Sequence, residues 1–136
     1  MGDKMTALKY PNDLKYTKEH QWVKLDGDTV TVGISDFAQH QLTNIVFVEL
    51  PAIGKKVEQM KNLCTIESVK SVSDLFSPVS GEVIEVNKEL ENKPELINKD
   101  SYSQGWIAKI KINDKSEIDK LMSAEEYKKF VSESKA

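Results

Sequence analysis

The clearest pattern along the chain is alternation of polar and apolar positions. Gln21-Trp22-Val23-Lys24-Leu25 alternates as a half-buried strand does. Thr29-Val30-Thr31-Val32-Gly33-Ile34 alternates again and is rich in β-branched residues. Asp26-Gly27 between them is a hairpin signal, so the two segments are predicted to pair. Ser35 is the predicted N-cap of a short helix, with Asp36 in the first turn and Phe37, Ala38 and Leu42 on one apolar face. Ile45-Val46-Phe47-Val48-Glu49-Leu50 predicts a strand that ends at Pro51, which has no N–H for a ladder. Leu63 to Val69 and Ser71 to Phe76 read as two further strands, with Lys70 at the bend between them. Ser77-Pro78-Val79-Ser80-Gly81 predicts a turn, Glu82 to Val86 a strand, and the polar stretch 87–98 a loop with short helical turns. Trp106 to Ile112 is the last predicted strand. Ser123-Ala124-Glu125-Glu126 has capping-box spacing, and Tyr127, Phe130 and Val131 fall on one face of the helix it opens.

Many short strands, one early helix and a terminal helix predict a mainly β fold. The expected architecture is a β-sandwich or flattened barrel with helical additions. The 136 residues contain no long linker, so a single domain is expected over 1–136, with 1–7 and 132–136 flexible. Trp22, Trp106, Phe47 and Phe76 are expected in the core, as large apolar side chains generally are.

Composition narrows the function classes. With 39% hydrophobic and 30% charged residues, the chain reads as a soluble globular domain. No apolar run reaches the roughly 20 residues a membrane helix needs. Met1 to Tyr10 has neither an apolar signal region nor an Arg-rich amphipathic stretch, so no secretory signal or transit peptide is expected. All 19 basic residues are lysine and the net charge is −3, which argues against nucleic acid, where the arginine fork is the favoured reader. Cys64 stands alone, so neither an internal disulfide nor a multi-cysteine zinc site is expected, and it reads as a small buried strand residue. His20 and His40 form no metal-binding motif, and no nucleophile–base order or phosphate loop appears. Neither a metal site nor a catalytic residue is predicted.

That leaves Lys70. A lysine at a bend is ordinarily a solvated charge. A rigid β-turn with a small neighbour, Ser71, nevertheless has what a carrier of a covalent arm needs: access for a modifying enzyme, and distance from the core. In such a carrier the cofactor supplies the chemistry and the protein the presentation.

The residues around Lys70 carry a resemblance. Glu67-Ser68-Val69-Lys70-Ser71-Val72-Ser73-Asp74 is similar to the lipoylation segment of the glycine cleavage H-protein family. The run from Ser77 to Asn87 resembles the same family. So do Tyr16-Thr17-Lys18-Glu19-His20, Trp22-Val23, Thr31 to Ile34, Ile45 to Pro51 and Pro94-Glu95-Leu96-Ile97-Asn98, in order from about Leu8 to about Phe130. The resemblance implies a lipoyl/biotinyl-type sandwich bearing (R)-lipoate as N6-lipoyllysine at Lys70. It implies recognition by a lipoate ligase or lipoyltransferase through Glu67, Ser68, Val69, Ser71 and Asp74. It further implies a non-catalytic, monomeric carrier in glycine catabolism and one-carbon metabolism, shared by three enzymes. Glycine dehydrogenase (decarboxylating) would load an aminomethyl group, aminomethyltransferase would pass the carbon on, and dihydrolipoamide dehydrogenase would reoxidise the dithiol. A cycling dithiol suits a reducing compartment: the cytoplasm of a bacterium, or alternatively the mitochondrial matrix.

Two positions depart from the family pattern. The family usually has Glu where Gln21 stands, in the surface cleft that holds the loaded arm's amine; Gln21 keeps a carbonyl but loses the charge, and Asp74 is expected to compensate. Before the Ile45 strand the family commonly has Gly then an acid, and here it is Thr43-Asn44. If that glycine needs positive φ, Thr43 would be strained. A lipoyl-relay protein that donates lipoate to other lipoyl domains is the alternative reading. A biotin carrier fits less well, because Val69 and Ser71 stand where biotin domains have methionines. An unmodified scaffold would leave the resemblance unexplained.

Overall fold

The computed structural model of the chain describes residues 8–134. Among them, nine strands form two antiparallel sheets. In the larger sheet the spatial order is β1 (Lys15–Tyr16), β2 (Gln21–Asp26), β3 (Thr29–Ile34), β9 (Ala108–Ile112), β8 (Gly81–Val86) and β5 (Lys56–Val57). The smaller is β4 (Ile45–Glu49), β6 (Asn62–Ser68) and β7 (Val72–Phe76). The helices are α1 (Asp36–Leu42), α2 (Leu96–Lys99) and α3 (Ala124–Ser134), with 3-10 turns at Lys88–Glu91 and Lys115–Lys120. The expected mainly β sandwich is present, and its sheets remain separate ladders rather than closing into a barrel.

The β2–β3 hairpin pairs Gln21 with Ile34 through to Asp26 with Thr29, leaving Gly27 and Asp28 as a two-residue loop. Gly27 has φ 67°, the left-handed value that the first position of a tight hairpin loop demands. Inward-facing Val30, Val32 and Ile110 of the larger sheet and Leu63, Ile66 and Leu75 of the smaller are all 2% exposed or less, and they form the main core.

A second core lies on the other face of the larger sheet. Val23 joins the main core, while its neighbour Trp22 points the opposite way into a cluster with Leu14, Tyr16, Phe37, Tyr127 and Val131. Tyr127 of α3 stacks on Tyr16 with ring centroids 4.7 Å apart and planes 7° from parallel. The Trp22 indole N–H donates to the Ser101 carbonyl at 2.9 Å. Gly33 pairs with Trp22 across the hairpin, and a Cβ there would lie 2.6 Å from the indole, so glycine lets the ring lie flat on the strand. The capping box forms as expected: the Ser123 N–H donates to Glu126 Oε1 at 2.9 Å, and the Glu126 N–H donates to Ser123 Oγ at 3.2 Å.

Three expectations change. Phe47, expected in the core, is 49% exposed. The β4–β6 register shifts between Ile45 and Phe47, and this bulge turns Val46 and Phe47 outward together. Trp22 is buried as expected, whereas Trp106 and Phe76 are only half-buried. Helix α3 runs to Ser134. The flexibility expected of 1–7 and of 135–136 lies outside the described residues.

Candidate functional site

Lys70 sits in the bend between β6 and β7, and Ser68 fixes that bend. The Ser68 hydroxyl accepts from the Lys70 N–H at 3.2 Å and the Ser71 N–H at 3.1 Å. The Ser68 N–H donates to the Ser71 carbonyl at 2.8 Å, and the Val69 N–H donates to the Asn44 carbonyl at 3.0 Å. The backbone at the tip is therefore tied down on both sides, while the Lys70 side chain is exposed. Among the described residues nothing forms an ion pair with its ammonium; the ion pair found there is Lys109 with Glu85. Glu67 faces Phe47 on one side and Val72 on the other. Val69 is 65% exposed beside the lysine, and Ser71 and Asp74 are exposed as well. The predicted recognition residues are thus gathered on one hairpin.

The strand that leaves Lys70 leads directly into a cleft. Ser73, Asp74 and Leu75 of β7 form one wall, α1 the second, and the segment Glu19-His20-Gln21 the third. The cleft holds about 660 Å³. Ile34, Phe37, Leu42, Ile66 and Leu75 give it an apolar lining, and Glu19 and Asp74 bring carboxylates to it with no lysine among the lining residues. Asp74 lies four residues beyond Lys70, roughly 13 Å along an extended strand. Such a cleft accepts a slender apolar chain with a cationic end.

Gln21 lines this cleft but is 1% exposed, not a surface residue. Its Oε1 accepts from the Thr17 hydroxyl at 2.5 Å, and its Nε2 donates to the Glu19 carbonyl at 2.9 Å. The site needs one acceptor and one donor, which an amide supplies and a carboxylate does not. Gln21 therefore locks the 17–21 loop, and the charges left at the cleft are those of Glu19 and Asp74. Glu19 and Gln41 carried no sequence signal of their own; the cleft appears only when α1 folds against β7.

Behind the cleft, His20 Nδ1 and Tyr127 Oη lie 2.7 Å apart, and Tyr127 Oη is also 2.7 Å from Ser35 Oγ. Ser35 is fully buried, its oxygen accepts the Ala38 N–H as the N-cap of α1, and its hydroxyl shares a hydrogen bond with Tyr127, which links it to His20. Burial holds His20 below the usual histidine range, with Glu19 opposing that shift. The loop also bends sharply here, with His20 at φ 76°.

The far end of α1 explains the second departure. Thr43 has φ 64° and ψ −145°, a conformation that favours glycine. Asn98 secures it: Asn98 Nδ2 donates to the Thr43 carbonyl at 2.7 Å and to Gln39 Oε1 at 3.0 Å. Asn98 Oδ1 accepts the Ile45 N–H at 2.8 Å, joining the strained turn to the first residue of β4. Cys64 is buried as expected, and burial pushes its thiol up to about 12.

Residues 14–134 match the family described as Glycine cleavage H-protein. The chain is 56% identical over 127 residues to the glycine cleavage system H protein of Coprothermobacter proteolyticus, covering 93% of this chain and 100% of that one. It is 50% identical over 126 residues to that of Staphylococcus carnosus, again covering 93% and 100%. The crystal structure of the H protein from Mycobacterium marinum superimposes with a TM-score of 0.79 at 36% identity, covering 86% of this chain and 94% of that one. The chain belongs to the glycine cleavage H-protein family, the lipoyl carriers of the glycine cleavage system.

Proposed function

We propose that Lys70 is the attachment point of the lipoyl arm and that the cleft is where the loaded arm rests. The observation that carries this reading is an exposed lysine on a serine-locked bend whose outgoing strand walls an apolar cleft with two carboxylates. A lipoate ligase would activate the lipoyl carboxylate with ATP as the acyl adenylate, or a lipoyltransferase would take an already activated lipoyl ester; attack by the neutral Lys70 Nζ then forms the amide and expels AMP or the carrier, and the lysine loses its charge. A lipoyl group there would supply the carrier dithiol, presented on a hairpin whose backbone Ser68 holds. Phe37, Leu42 and Leu75 would hold its hydrocarbon, Glu19 and Asp74 would meet a cationic end, and the cleft walls would exclude water from it.

The family is a carrier and not a catalyst, and it works with the enzymes of the glycine cleavage system. Here those enzymes are taken to be glycine dehydrogenase (decarboxylating), aminomethyltransferase and dihydrolipoamide dehydrogenase, with the chain acting as a monomer. Among the described residues no helix is long and apolar enough to cross a membrane, and the relatives compared above are bacterial proteins. A bacterial cytoplasm, where a dithiol survives between turnovers, fits both.

The test is exchange of labelled bicarbonate into glycine by the decarboxylating dehydrogenase with the lipoylated chain as partner. Exchange is expected with the wild-type chain and lost in Lys70→Ala. A lipoylated chain that supports no exchange but donates lipoate to other lipoyl domains would establish the relay reading instead.

A further inference from the structure

The segment from Tyr16 to Gln21 borders a second concavity, which shares no lining residue with the cleft. Glu19, His20 and Gln21 face the cleft, whereas Tyr16, Thr17 and Lys18 line a smaller hollow of about 210 Å³. The turn before β6 brings Met60 to it, and the end of the second 3-10 turn brings Lys120, Leu121 and Met122. Its walls are pinned by hydrogen bonds. The Tyr16 N–H donates to the Met122 carbonyl at 2.9 Å, and the Met122 N–H donates back to the Tyr16 carbonyl at 2.8 Å. The Met60 N–H donates to the Ser77 carbonyl at 2.6 Å, and Gln59 Nε2 donates to the Pro78 carbonyl at 3.0 Å. These bonds hold Met60 at a φ of 66° with its side chain 41% exposed.

The chemistry of the hollow inverts that of the cleft. The cleft has apolar walls with two carboxylates and no lysine. The hollow has apolar walls with two lysines and no carboxylate. Lys18 and Lys120 are exposed, and they form no ion pair among the described residues. The acids of the neighbouring 3-10 turn are engaged elsewhere. The Glu117 carboxylate accepts from the Ser80 N–H at 2.7 Å and the Ser80 hydroxyl at 2.8 Å, and Asp114 accepts from the Ser116 hydroxyl at 2.6 Å.

We propose that this hollow binds a short aliphatic carboxylate, with its chain against Met60, Leu121 and Met122 and its anion between Lys18 and Lys120. The volume sets the chain length. At about 30 Å³ for each water-sized group, the space takes roughly seven non-hydrogen atoms, so an acid of about six carbons fills it. Methionine thioethers are flexible and polarisable, which suits them to an unbranched chain. Two unpaired ammoniums favour an anion and repel a cation of the same length. Lys70 contributes nothing to the hollow, so the inference stands apart from the attachment of the arm.

The experiment titrates the unmodified chain, carrying isotope-labelled methionine methyl groups, with hexanoate and follows it by NMR. Saturable shifts of the Met60 and Met122 signals, assigned through Met60→Leu and Met122→Leu, are expected with a Kd on the order of 1 mM. Lys18→Gln with Lys120→Gln is expected to raise that Kd by about five- to tenfold. Lys24→Gln with Lys111→Gln, on the outer face of the larger sheet, is expected to leave it unchanged, as is Lys70→Ala. Hexylammonium is expected to give no saturable shift at either signal. Equal shifts with hexylammonium, or an unchanged Kd in the Lys18 and Lys120 variant, would reveal general apolar adsorption and overturn the proposal. Unmoved Met60 and Met122 signals at about 20 mM hexanoate would overturn it as well.

Discussion

The outer faces of the two sheets solve the problem of contact with water in opposite ways. On the larger sheet, Lys24, Thr31, Lys109 and Glu85 lie in one cross-strand row, and Thr29, Lys111, Glu82 and Lys56 in another. Charges of both signs alternate there, Lys109 and Glu85 approach to 4.0 Å, and the apolar end around Trp22 is roofed by α3. On the smaller sheet the charges in the corresponding rows, Glu49, Glu67 and Asp74, are all negative, the apolar side chains stay bare, and none of the described helices roofs Phe47 or Val72. The first face is finished within the chain, whereas the second, which runs to the Lys70 bend, stays open.

Aromatic substitution breaks this comparison most sharply. Trp22→Ala empties a fully packed site under α3 and is expected to cost about 3–5 kcal/mol in urea denaturation. Phe47→Ser, the same kind of loss on the bare face, is expected to change stability by no more than about 0.5 kcal/mol. A comparable cost at both positions would mean that the two faces do not differ as described.

The link between α1 and the smaller sheet gives smaller effects. Asn98→Ala strands the Ile45 N–H and the Thr43 carbonyl and is expected to cost about 1–3 kcal/mol. Thr43→Gly relieves a φ of 64° and is expected to stabilise the chain by about 1 kcal/mol, read as a raised urea midpoint at unchanged m-value. Neither substitution removes a group bonded to the Lys70 bend, although the Asn44 carbonyl that accepts the Val69 N–H lies next to Thr43, so ligation of both variants is expected at the wild-type rate.

The smallest effect is one of pH. Burial lowers the His20 pKa in the folded chain, so the unfolded chain binds the proton more readily. The stability His20 contributes is present above the unfolded value of about 6.5 and is lost as pH falls below it toward the lower folded value. Thermal melts between pH 7.5 and pH 5.5, roughly one unit either side of that value, are expected to show a smaller acid loss in His20→Gln than in the wild type.

Much of this was legible in the sequence, for reasons that differ between elements. The β2–β3 hairpin and the α3 cap were readable because alternation, a Gly at the turn and S-x-x-E spacing are local signals. The Lys70 bend was readable because two alternating runs meet there. The two-residue strands β1 and β5 carry too few positions to show a period. Phe47 was misplaced because a bulge breaks the alternation that would have assigned its face. Gln21 looked like a surface residue because polar side chains usually are; the Thr17 hydroxyl and Glu19 carbonyl that bury it become its partners only when the loop folds. The contact of His20 with Tyr127 spans 107 positions, beyond any local pattern. Thr43 was the informative departure: a β-branched residue at a glycine position pointed to a strained turn, and the turn has the positive φ.

The most direct test of the central claim is intact mass with peptide mapping after incubation with lipoate–protein ligase, lipoate and ATP. A single lipoyl addition is expected, on the peptide containing Lys70, absent from Lys70→Ala. No mass gain with an active ligase, or a gain on another lysine that persists in Lys70→Ala, would contradict it.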